Sequence, residues 1–398
     1  MASSLPYLPV LLLTQAHIND GIADRREILV SQFGYTGNAA SIHGCFRGPD
    51  GRIYWCDGRH GHEFRDKEGQ LTSKLAGSYI FSCKPDGSDV RIHCGGGMDN
   101  PVEVDFTPEG EMVGTVNIMF SRPRNDCLVH WLYGGVYPHS ERVLQERKRT
   151  GALLGPVHKF GHVAVSGTMR YRSGALDPSF KNSFFTALFN GGKVVRVELE
   201  RKGSTFQATQ REFVSGLSPD IHITDVLEDA DGSILVVDTG GWFYRGCPTS
   251  QFSKPDIKGG IYRVRRKGMK TVPDPWGKQI DWSKLTATEI VTLLHDPRFT
   301  VQERAIVECV NRGNAFVPTL RQTLQGAHLQ QGRNVLWALT RIVGAKESPQ
   351  AQAVIRTALG NRSPSIRLTA CRSIATYPDP AALPTLLRMV EHDEAPIR

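Results

Sequence analysis

The stretch "ADGSILVVDTGGWFY" at residues 230–244 joins an acidic-glycine turn to a short apolar strand and ends in a carboxylate, two glycines and two aromatic residues. Similar text stands at 48–58, "GPDGRIYWCDG", and at 107–116, "TPEGEMVGTV". A turn of this kind before β-branched and aromatic residues predicts a β-hairpin. Turn chemistry, rather than metal binding, is therefore the first interpretation of Asp231 and Gly232.

Further predicted strands flank each of these turns. They form four rounds of roughly four strands, near residues 40–95, 98–150, 160–214 and 220–267. Antiparallel strands that repeat about every 50 residues are typical of a β-propeller. We therefore predict a β-propeller with about four blades over residues 1–267. "GIADRREILVSQF" at 21–33 resembles an outer strand without its preceding partners, which predicts a propeller that is incomplete at its N-terminus.

The pattern changes to a helical period after a linker rich in proline, glycine and tryptophan at residues 268–284. From 285 to 398, apolar residues recur at i, i+3 and i+4 in segments separated by short breaks. Corresponding positions are Gln302, Arg333, Arg367 and Arg398. This spacing predicts an α-solenoid of the HEAT type whose last copy is incomplete. The predicted fold class is thus multidomain, β then α.

Composition narrows the functional classes. The formal net charge of +8 is modest for 398 residues, and no recognised module accompanies the basic runs, so we predict no nucleic-acid partner. "PYLPVLLL" at 6–13 is too short to span a bilayer and lacks the marks of a secretory signal. The eight cysteines include neither a CxxC nor a CxxCH motif, which argues against a zinc ribbon and covalent haem. Four of them lie between residues 45 and 94, as a disulfide or as buried free thiols.

Histidines concentrate in the loops next to the predicted first and second strands. His43, His60 and His162 are the candidate catalytic residues, and His62, His158 and His222 lie in similar loops. A neutral imidazole can accept the proton when an alcohol is oxidised by hydride transfer. The alternative for each histidine is a structural role or a solvated loop position.

Carboxylates recur in the same loops. Asp225 and Asp238 flank the first hairpin of the fourth round, and a divalent cation such as Ca²⁺ between them is one hypothesis. Hydrogen bonds from these carboxylates to neighbouring loop amides are the alternative. His60 and His62 in "CDGRHGHE" are a weaker metal signal, because no third ligand can be identified.

Two long stretches resemble a known family. They are "FGHVAVSGTMRYRSGALDPSFKNSFFTALFNGGKVVRVELE" at 160–200 and "TDVLEDADGSILVVDTGGWFYRGCPTSQFSKPDIKGGIYRVRRKG" at 224–268. Both resemble bacterial propellers named as membrane-bound dehydrogenases, distant relatives of the quinoprotein glucose/sorbosone dehydrogenases. The resemblance covers about residues 20–398. It implies a propeller, HEAT-like repeats and a c-type cytochrome domain or partner, and a periplasmic or cell-envelope location.

The resemblance also implies pyrroloquinoline quinone as a cofactor, with Ca²⁺. The three carboxylates of this quinone need cationic partners, and the nearby candidates are Arg59, Lys159, Arg170 and Arg172. Related sugar dehydrogenases carry an Arg-Asn-Pro triplet, whereas "MDNPVEVDF" keeps Asn100 and Pro101 and has Asp99 in the place of the arginine. Asn100 is therefore a candidate cofactor ligand, and the arginine is absent.

Three functions follow as hypotheses. The first is a quinone- or metal-assisted oxidoreductase that oxidises a sugar or alcohol and passes electrons to a cytochrome. The second is a propeller and HEAT scaffold that binds proteins or glycans. The third is a propeller lactonase that uses calcium.

The sequence leads to two structural expectations as well. His43, Arg59, His60, His162, Asp225 and Asp238 should approach one another around one concave face, because they share a position in the repeat. Open strand edges and the apolar face of residues 381–390 should make the isolated chain self-associate.

Overall fold

The structure is a computed structural model that describes residues 11–15, 25–34, 40–65, 70–139, 144–148, 150–216, 218, 220–243, 252–254 and 256–398. Within these ranges a β region, Leu11–Val264, precedes a helical region, Ala287–His392. The strands are β1 Leu11–Gln15, β2 Arg25–Val30, β3 Ile42–Arg47, β4 Ile53–Asp57, β5 His62–Arg65, β6 Leu71–Leu75, β7 Ser78–Cys83, β8 Arg91–Gly96, β9 Asn100–Pro101, β10 Asp105–Phe106, β11 Met112–Ser121, β12 Arg124–Trp131, β13 Val136–Tyr137, β14 His158–Gly161, β15 Val165–Arg170, β16 Phe184–Leu188, β17 Lys193–Lys202, β18 Thr205–Ser215, β19 Ile223–Glu228, β20 Ile234–Asp238, β21 Trp242–Phe243, β22 Phe252–Ser253 and β23 Gly260–Val264.

Four antiparallel sheets follow one another along the β region. Their strand orders are β3-β4-β7-β8, β10-β11-β12-β14 with β9 also on β11, β15-β16-β17-β18, and β19-β20-β23. The short strand β13 adds to β8 in parallel. The predicted β-rich region is therefore confirmed, while the number of blades stays a prediction.

The sheets differ from the predicted rounds in four details. Strand β14 is the outer strand of the second sheet, although its residues lie at the predicted start of the third round. Strands β5 and β6 form a separate hairpin, and the fourth sheet has three strands. Strand β2 pairs with β1 in its own two-stranded sheet. Hairpins that branch from a sheet carry the same alternating pattern as the sheet, so the sequence does not distinguish them.

The acidic-glycine turns share one geometry. In "GPDG" the amide of Gly51 donates to the carbonyl of Gly48 at 2.9 Å, and in "TPEG" the amide of Gly110 donates to the carbonyl of Thr107 at 2.9 Å. Both glycines have positive φ, +87° and +85°, which a residue with a side chain adopts only with strain. The glycine therefore closes a tight hairpin between the first and second strands of the first and second sheets.

The helical region consists of amphipathic helices that pack in antiparallel pairs. Its helices are α1 Ala287–Thr292, α2 Phe299–Arg312, α3 Val317–Gly326, α4 Leu329–Ala345, α5 Pro349–Ala358, α6 Pro364–Thr376 and α7 Leu383–His392. Thr286 and Glu289 form a capping box that starts α1. Gln302, Arg333 and Arg367 occupy equivalent places near the starts of α2, α4 and α6, as the spacing predicts. One apolar core, centred on residues such as Ile306, Leu336 and Ala370, joins the helices.

Helix α4 docks on two of the acidic-glycine turns. Residues four apart share one face of a helix, and here Arg333, Trp337 and Arg341 do so. Trp337 Nε1 donates to the carbonyl of Pro108 at 3.2 Å, and Arg341 Nε donates to the carbonyl of Pro49 at 2.8 Å. The helical region thus covers the end of the β region at which the hairpin turns lie.

Seven cysteines are described and none of them is paired. Cys56, Cys83 and Cys94 are buried, and Cys45 is exposed. The four cysteines of the first sheet therefore follow the free-thiol interpretation rather than the disulfide, and Cys247 lies outside the described residues. In the described part of the chain, no helix has both the length and the apolar character needed to cross a membrane.

Candidate functional site

The starts of the first strands bring together a group of residues that we call the histidine cluster. Strand β15 contacts β10, β11 and β19, so the first strands of successive sheets lie side by side. Segments at the starts of β3, β9 and β15, the β4–β5 loop, the β11–β12 turn and the segment after β13 supply the side chains of the cluster. Its members are His43, Arg59, His60, Asp99, Asn100, Arg124, His139 and His162.

His43 and Asn100 form the central contact of this cluster. His43 Nε2 lies 2.8 Å from Asn100 Oδ1, between the starts of β3 and β9. Because an amide oxygen only accepts, Nε2 carries the proton and the lone pair of the neutral ring is on Nδ1. Asn100 is 7% exposed, so its amide is held firmly and fixes the orientation of the imidazole.

Arg59 and Asp99 form an ion pair next to this contact. Arg59 Nη1 lies 2.8 Å from Asp99 Oδ1, and the backbone amide of Arg59 donates to the carbonyl of Asp99 at 3.1 Å. Burial raises the pKa of Asp99, and the charge of Arg59 opposes that rise. Asp99, which stands where related enzymes have an arginine, therefore pairs with an arginine from the β4–β5 loop.

The imidazoles around this ion pair favour the neutral state. Burial lowers the pKa of His60, and the charge of Arg59 lowers it further. Burial also lowers the pKa of His139, which feels the charges of Asp99, Arg59 and Arg124. Arg124 Nη1 donates to His162 Nε2 at 3.1 Å, which brings His162 into the same group. Neutral imidazoles at pH 7 suit proton acceptors.

The structure therefore gathers five of the candidate residues, His43, Arg59, His60, Asn100 and His162. Arg124 and His139 belong to the same group, but the sequence did not indicate them. Arg124 lies at the turn between β11 and β12, and His139 follows β13. Neither position matches the repeat that singled out the others. His139 has a φ of 134°, and its Nδ1 has no hydrogen-bond partner among the described residues. Such strained backbones concentrate at functional sites.

Three predicted cofactor ligands lie elsewhere. Arg170 ends β15, about 16 Å along the strand from its first residue, Val165, which lies near His162 in the chain. Its side chain bonds the carbonyl of Phe106 and the amide oxygen of Asn182. Arg172 faces the helical region, and Lys159 lies on the outer strand β14 over the ring of Phe120. These three residues do not join the histidine cluster.

Asp225 and Asp238 bind backbone amides. Asp238 Oδ1 accepts from the amides of His222 and Gly240, both at 2.8 Å. Asp225 Oδ1 accepts from the amide of Val226 at 2.8 Å. Among the described residues, no group of three or more His, Cys, Asp or Glu side chains is placed to hold a metal ion. Both carboxylates therefore accept hydrogen bonds from neighbouring backbone amides, which is the alternative to metal binding that the sequence left open.

His62 belongs to the core. Its Nδ1 lies 2.9 Å from Asp57 Oδ2 and its Nε2 lies 2.7 Å from Ser73 Oγ. The ring stacks on Phe64 at 4.2 Å. This network ties the β5–β6 hairpin to the first sheet and leaves His62 unavailable to a metal shared with His60.

The cluster provides the donors that a carboxylated quinone requires, although one anion competes. Arg59 and Arg124 supply two guanidinium groups, and His60, His139 and His162 supply imidazoles. Guanidinium groups bind carboxylates by paired hydrogen bonds. Asp99 already holds Arg59, so a carboxylate of the cofactor would share or replace that contact.

The chain thus combines four antiparallel sheets, a histidine-centred cluster and a helical solenoid. Residues 7–268 match the family model described as "Domain of unknown function (DUF7133)", which covers about two thirds of the chain. The protein belongs to this family. Residues 330–398 match the family model for HEAT repeats, which confirms the predicted type of helical repeat. No curated protein matches the chain.

Several solved structures are similar in part. A glucose dehydrogenase is 17% identical, with a TM-score of 0.43, over 64% of this chain and 72% of that chain. A soluble aldose sugar dehydrogenase from Escherichia coli, in its apo-form, is 18% identical, with a TM-score of 0.39, over 54% and 66%. The PQQ-bound form of an aldose sugar dehydrogenase from Streptomyces coelicolor is 15% identical, with a TM-score of 0.35, over 60% and 84%. Likenesses at these identities and scores leave the activity of this chain open.

Proposed function

We propose that the histidine cluster is the active site of a dehydrogenase that oxidises a hydroxyl group of a sugar or alcohol. The contact between His43 and Asn100 supports this role most directly. It fixes the tautomer of a half-buried imidazole so that Nδ1 can accept a proton. It also places an amide oxygen on the other nitrogen, where it stabilises the imidazolium that forms.

The proton and the hydride leave the substrate by separate routes. The substrate hydroxyl donates to His43 Nδ1 and loses its proton there as the carbonyl forms. When bound, a quinone would supply the two-electron acceptor for the hydride that leaves the carbon atom. Arg59 and Arg124 would hold its carboxylates, with His60, His139 and His162 as further donors. Asn100 keeps the imidazole in place throughout.

A c-type cytochrome is the proposed electron acceptor, and the periplasm or cell envelope is the proposed location. Both follow from the family resemblance of the sequence. The HEAT repeats remain a proposed surface for a protein partner, although α4 already uses one face to dock on the β region. For the lactonase alternative, the described residues include no group of three or more His, Cys, Asp or Glu side chains placed to hold a metal ion.

A dye-reduction assay tests the proposal. Purified protein is incubated with a panel of sugars and alcohols, with and without pyrroloquinoline quinone and Ca²⁺. We expect quinone-dependent activity that falls about 10²–10⁴-fold in His43→Gln. Asn100→Ala should lower kcat more than it raises KM, because it disturbs the base rather than substrate binding.

His158→Gln is the matched control. His158 lies on the outer strand β14 and contacts Gln210 at 3.0 Å, away from the cluster. Its replacement should leave the activity unchanged. Activity that survives in His43→Gln, or the absence of activity from quinone-loaded wild type across the panel, would contradict the proposal and favour a binding scaffold.

A further inference from the structure

A cleft of about 550 Å³ lies between the β region and the helical region. Its β side is formed by the far ends of β3, β10 and β15, with Arg47, Phe106 and Arg170. Its helical side is formed by the start of α2 and by α4. We call it the β–α cleft. It lies at the opposite strand ends from the histidine cluster, and its volume is in the range of small-molecule sites.

Positive charge predominates in this cleft. Three carboxylates line it, those of Asp105, Asp296 and Glu303. The cationic side chains that line it are Arg47, Arg170, Arg172, Lys181, Arg333 and Arg341. Glu109, which bonds Arg333 at 2.8 Å, adds one more anion at its edge. Glu228, whose charge acts on Arg170 and Arg172, adds another. One positive charge therefore remains without a carboxylate to balance it.

This excess surrounds Glu303. Arg341 Nη2 lies 3.3 Å and Arg172 Nη1 lies 3.6 Å from its oxygens. These two guanidinium groups and Arg47 lower the pKa of Glu303. Burial and the like charge of Arg341 lower the pKa of Arg47. Glu303 thus faces three guanidinium groups, of which Arg172 also feels the charges of Asp105 and Glu228. A further anion would relieve the repulsion between Arg47 and Arg341.

One N–H donor group of Arg341, Nη1, makes no hydrogen bond among the described residues. The side chain of Arg341 is 5% exposed, and its Nε and Nη2 reach the carbonyls of Pro49 and Gly48. Its Nη1 is buried. A buried guanidinium donor without an acceptor is costly, so native structures normally satisfy it with a protein group, water or ligand. Arg341 lines the cleft, so an anion there would lie beside this guanidinium charge, although not on the buried Nη1 itself.

We propose that the β–α cleft binds a small anionic sugar that carries its charge as a carboxylate or as a phosphate. Arg172 and Arg341 bind the charged group beside Glu303. The side-chain amides of Asn182, Gln330 and Asn334 line the cleft. Asn334 Nδ2 already donates to Leu294 and Gln302, so Asn334 offers a sugar hydroxyl its oxygen as an acceptor, while Asn182 and Gln330 also offer donors. A ligand in this place contacts both regions and holds the helical region on the β region. The inference does not depend on the activity proposed for the histidine cluster.

Calorimetric titration of the full chain at constant ionic strength tests this site. The probes are glucuronate, glucose 6-phosphate, glucose and inorganic phosphate. We expect binding of one or both anionic sugars and no measurable binding of glucose. Binding of inorganic phosphate as tight as that of glucose 6-phosphate would show that the sugar part is not recognised, and would overturn the proposed ligand class.

Three variants distinguish binding in the cleft from a general effect of the net charge of the protein. Arg172→Gln should weaken the anionic sugar at least about tenfold, since it removes a charge-assisted contact. Glu303→Gln should tighten it several-fold, because it removes the competing carboxylate. Arg304→Gln is the matched control. Arg304 lies on the same helix but pairs with Glu308 outside the cleft, so the affinity should not change.

The proposal is overturned if neither anionic sugar binds to the wild type, or if Arg172→Gln and Arg304→Gln have equal affinities. Circular dichroism and thermal melts establish that each variant is folded. Arg47→Gln is a second test if Arg172→Gln unfolds, because Arg47 also lines the cleft and faces Glu303.

Discussion

Asp99 lies 2.8 Å from Arg59 and occupies its guanidinium group in the middle of the histidine cluster. The first prediction concerns this contact. Asp99→Asn removes a negative charge and frees Arg59, so pyrroloquinoline quinone should bind about tenfold more tightly. Equilibrium dialysis against the quinone measures the change.

Asp281→Asn is the control for this variant. Asp281 pairs with Lys284 outside the cluster, and its replacement removes the same charge. An equal gain in quinone affinity in both variants would show that the effect comes from net charge alone. Unchanged or weaker binding in Asp99→Asn would show that the cluster does not receive the carboxylates of the quinone.

The second prediction concerns the docking of α4. A Cβ atom at Gly110 would lie 2.6 Å from the ring of Trp337, and the φ of +85° adds strain. Gly110→Ala should therefore lower the free energy of unfolding by about 2–4 kcal/mol. Urea denaturation monitored by tryptophan fluorescence measures it.

Gly203→Ala is the matched control, because Gly203 has a φ of +58° and no neighbouring atom within 4 Å of the added Cβ. It reports the cost of the backbone conformation alone, about 1 kcal/mol. Equal losses of unfolding free energy in the two variants would mean that the Trp337 ring does not pack closely against the turn.

The third prediction concerns pH. Burial raises the pKa of Asp57 to about 6, and the hydrogen bond from His62 opposes the rise. Unfolded Asp has a pKa of about 3.9, so between about pH 4 and 6 the folded chain binds more protons than the unfolded chain. The contribution of Asp57 to stability therefore falls as the pH rises through this window.

Asp57→Asn keeps an acceptor for His62 and cannot ionise. Relative to the wild type, this variant should gain up to about 3 kcal/mol in unfolding free energy between pH 4 and pH 7. Urea denaturation at both pH values measures the gain. A change of the opposite sign in Asp57→Asn would refute the raised pKa.

The fourth prediction concerns self-association. Leu383, Leu387 and Val390 lie on one face of α7 and are 55%, 60% and 57% exposed. Light scattering should detect association of the wild type at tens of micromolar, roughly the range in which exposed apolar surface aggregates. The double variant Leu387→Lys, Val390→Lys should reduce it, whereas Gln325→Lys on the exposed face of α3 should not. A monodisperse wild-type monomer would contradict this prediction.

Local features could be predicted from the sequence, and contacts between distant segments could not. The hairpin turns and the helical period depend on neighbouring residues, so the sequence alone predicts the "TPEG" turn and the HEAT spacing. Trp337 meets Pro108 across 229 positions, and nothing near either residue indicates the contact. Arg170 lies at the far end of its strand from the histidine cluster, which the sequence did not indicate, because the repeat places a residue within a hairpin without showing at which end of the sheet it lies.

The most direct test of the central claim is a single-turnover measurement. Quinone-loaded protein is mixed without oxygen with the most active sugar or alcohol, and the loss of quinone absorbance is followed. We expect that His43→Gln binds the quinone as tightly as the wild type does but reacts about 10²–10⁴-fold more slowly. Equal rates in the two proteins would contradict His43 as the proton acceptor and the histidine cluster as the active site.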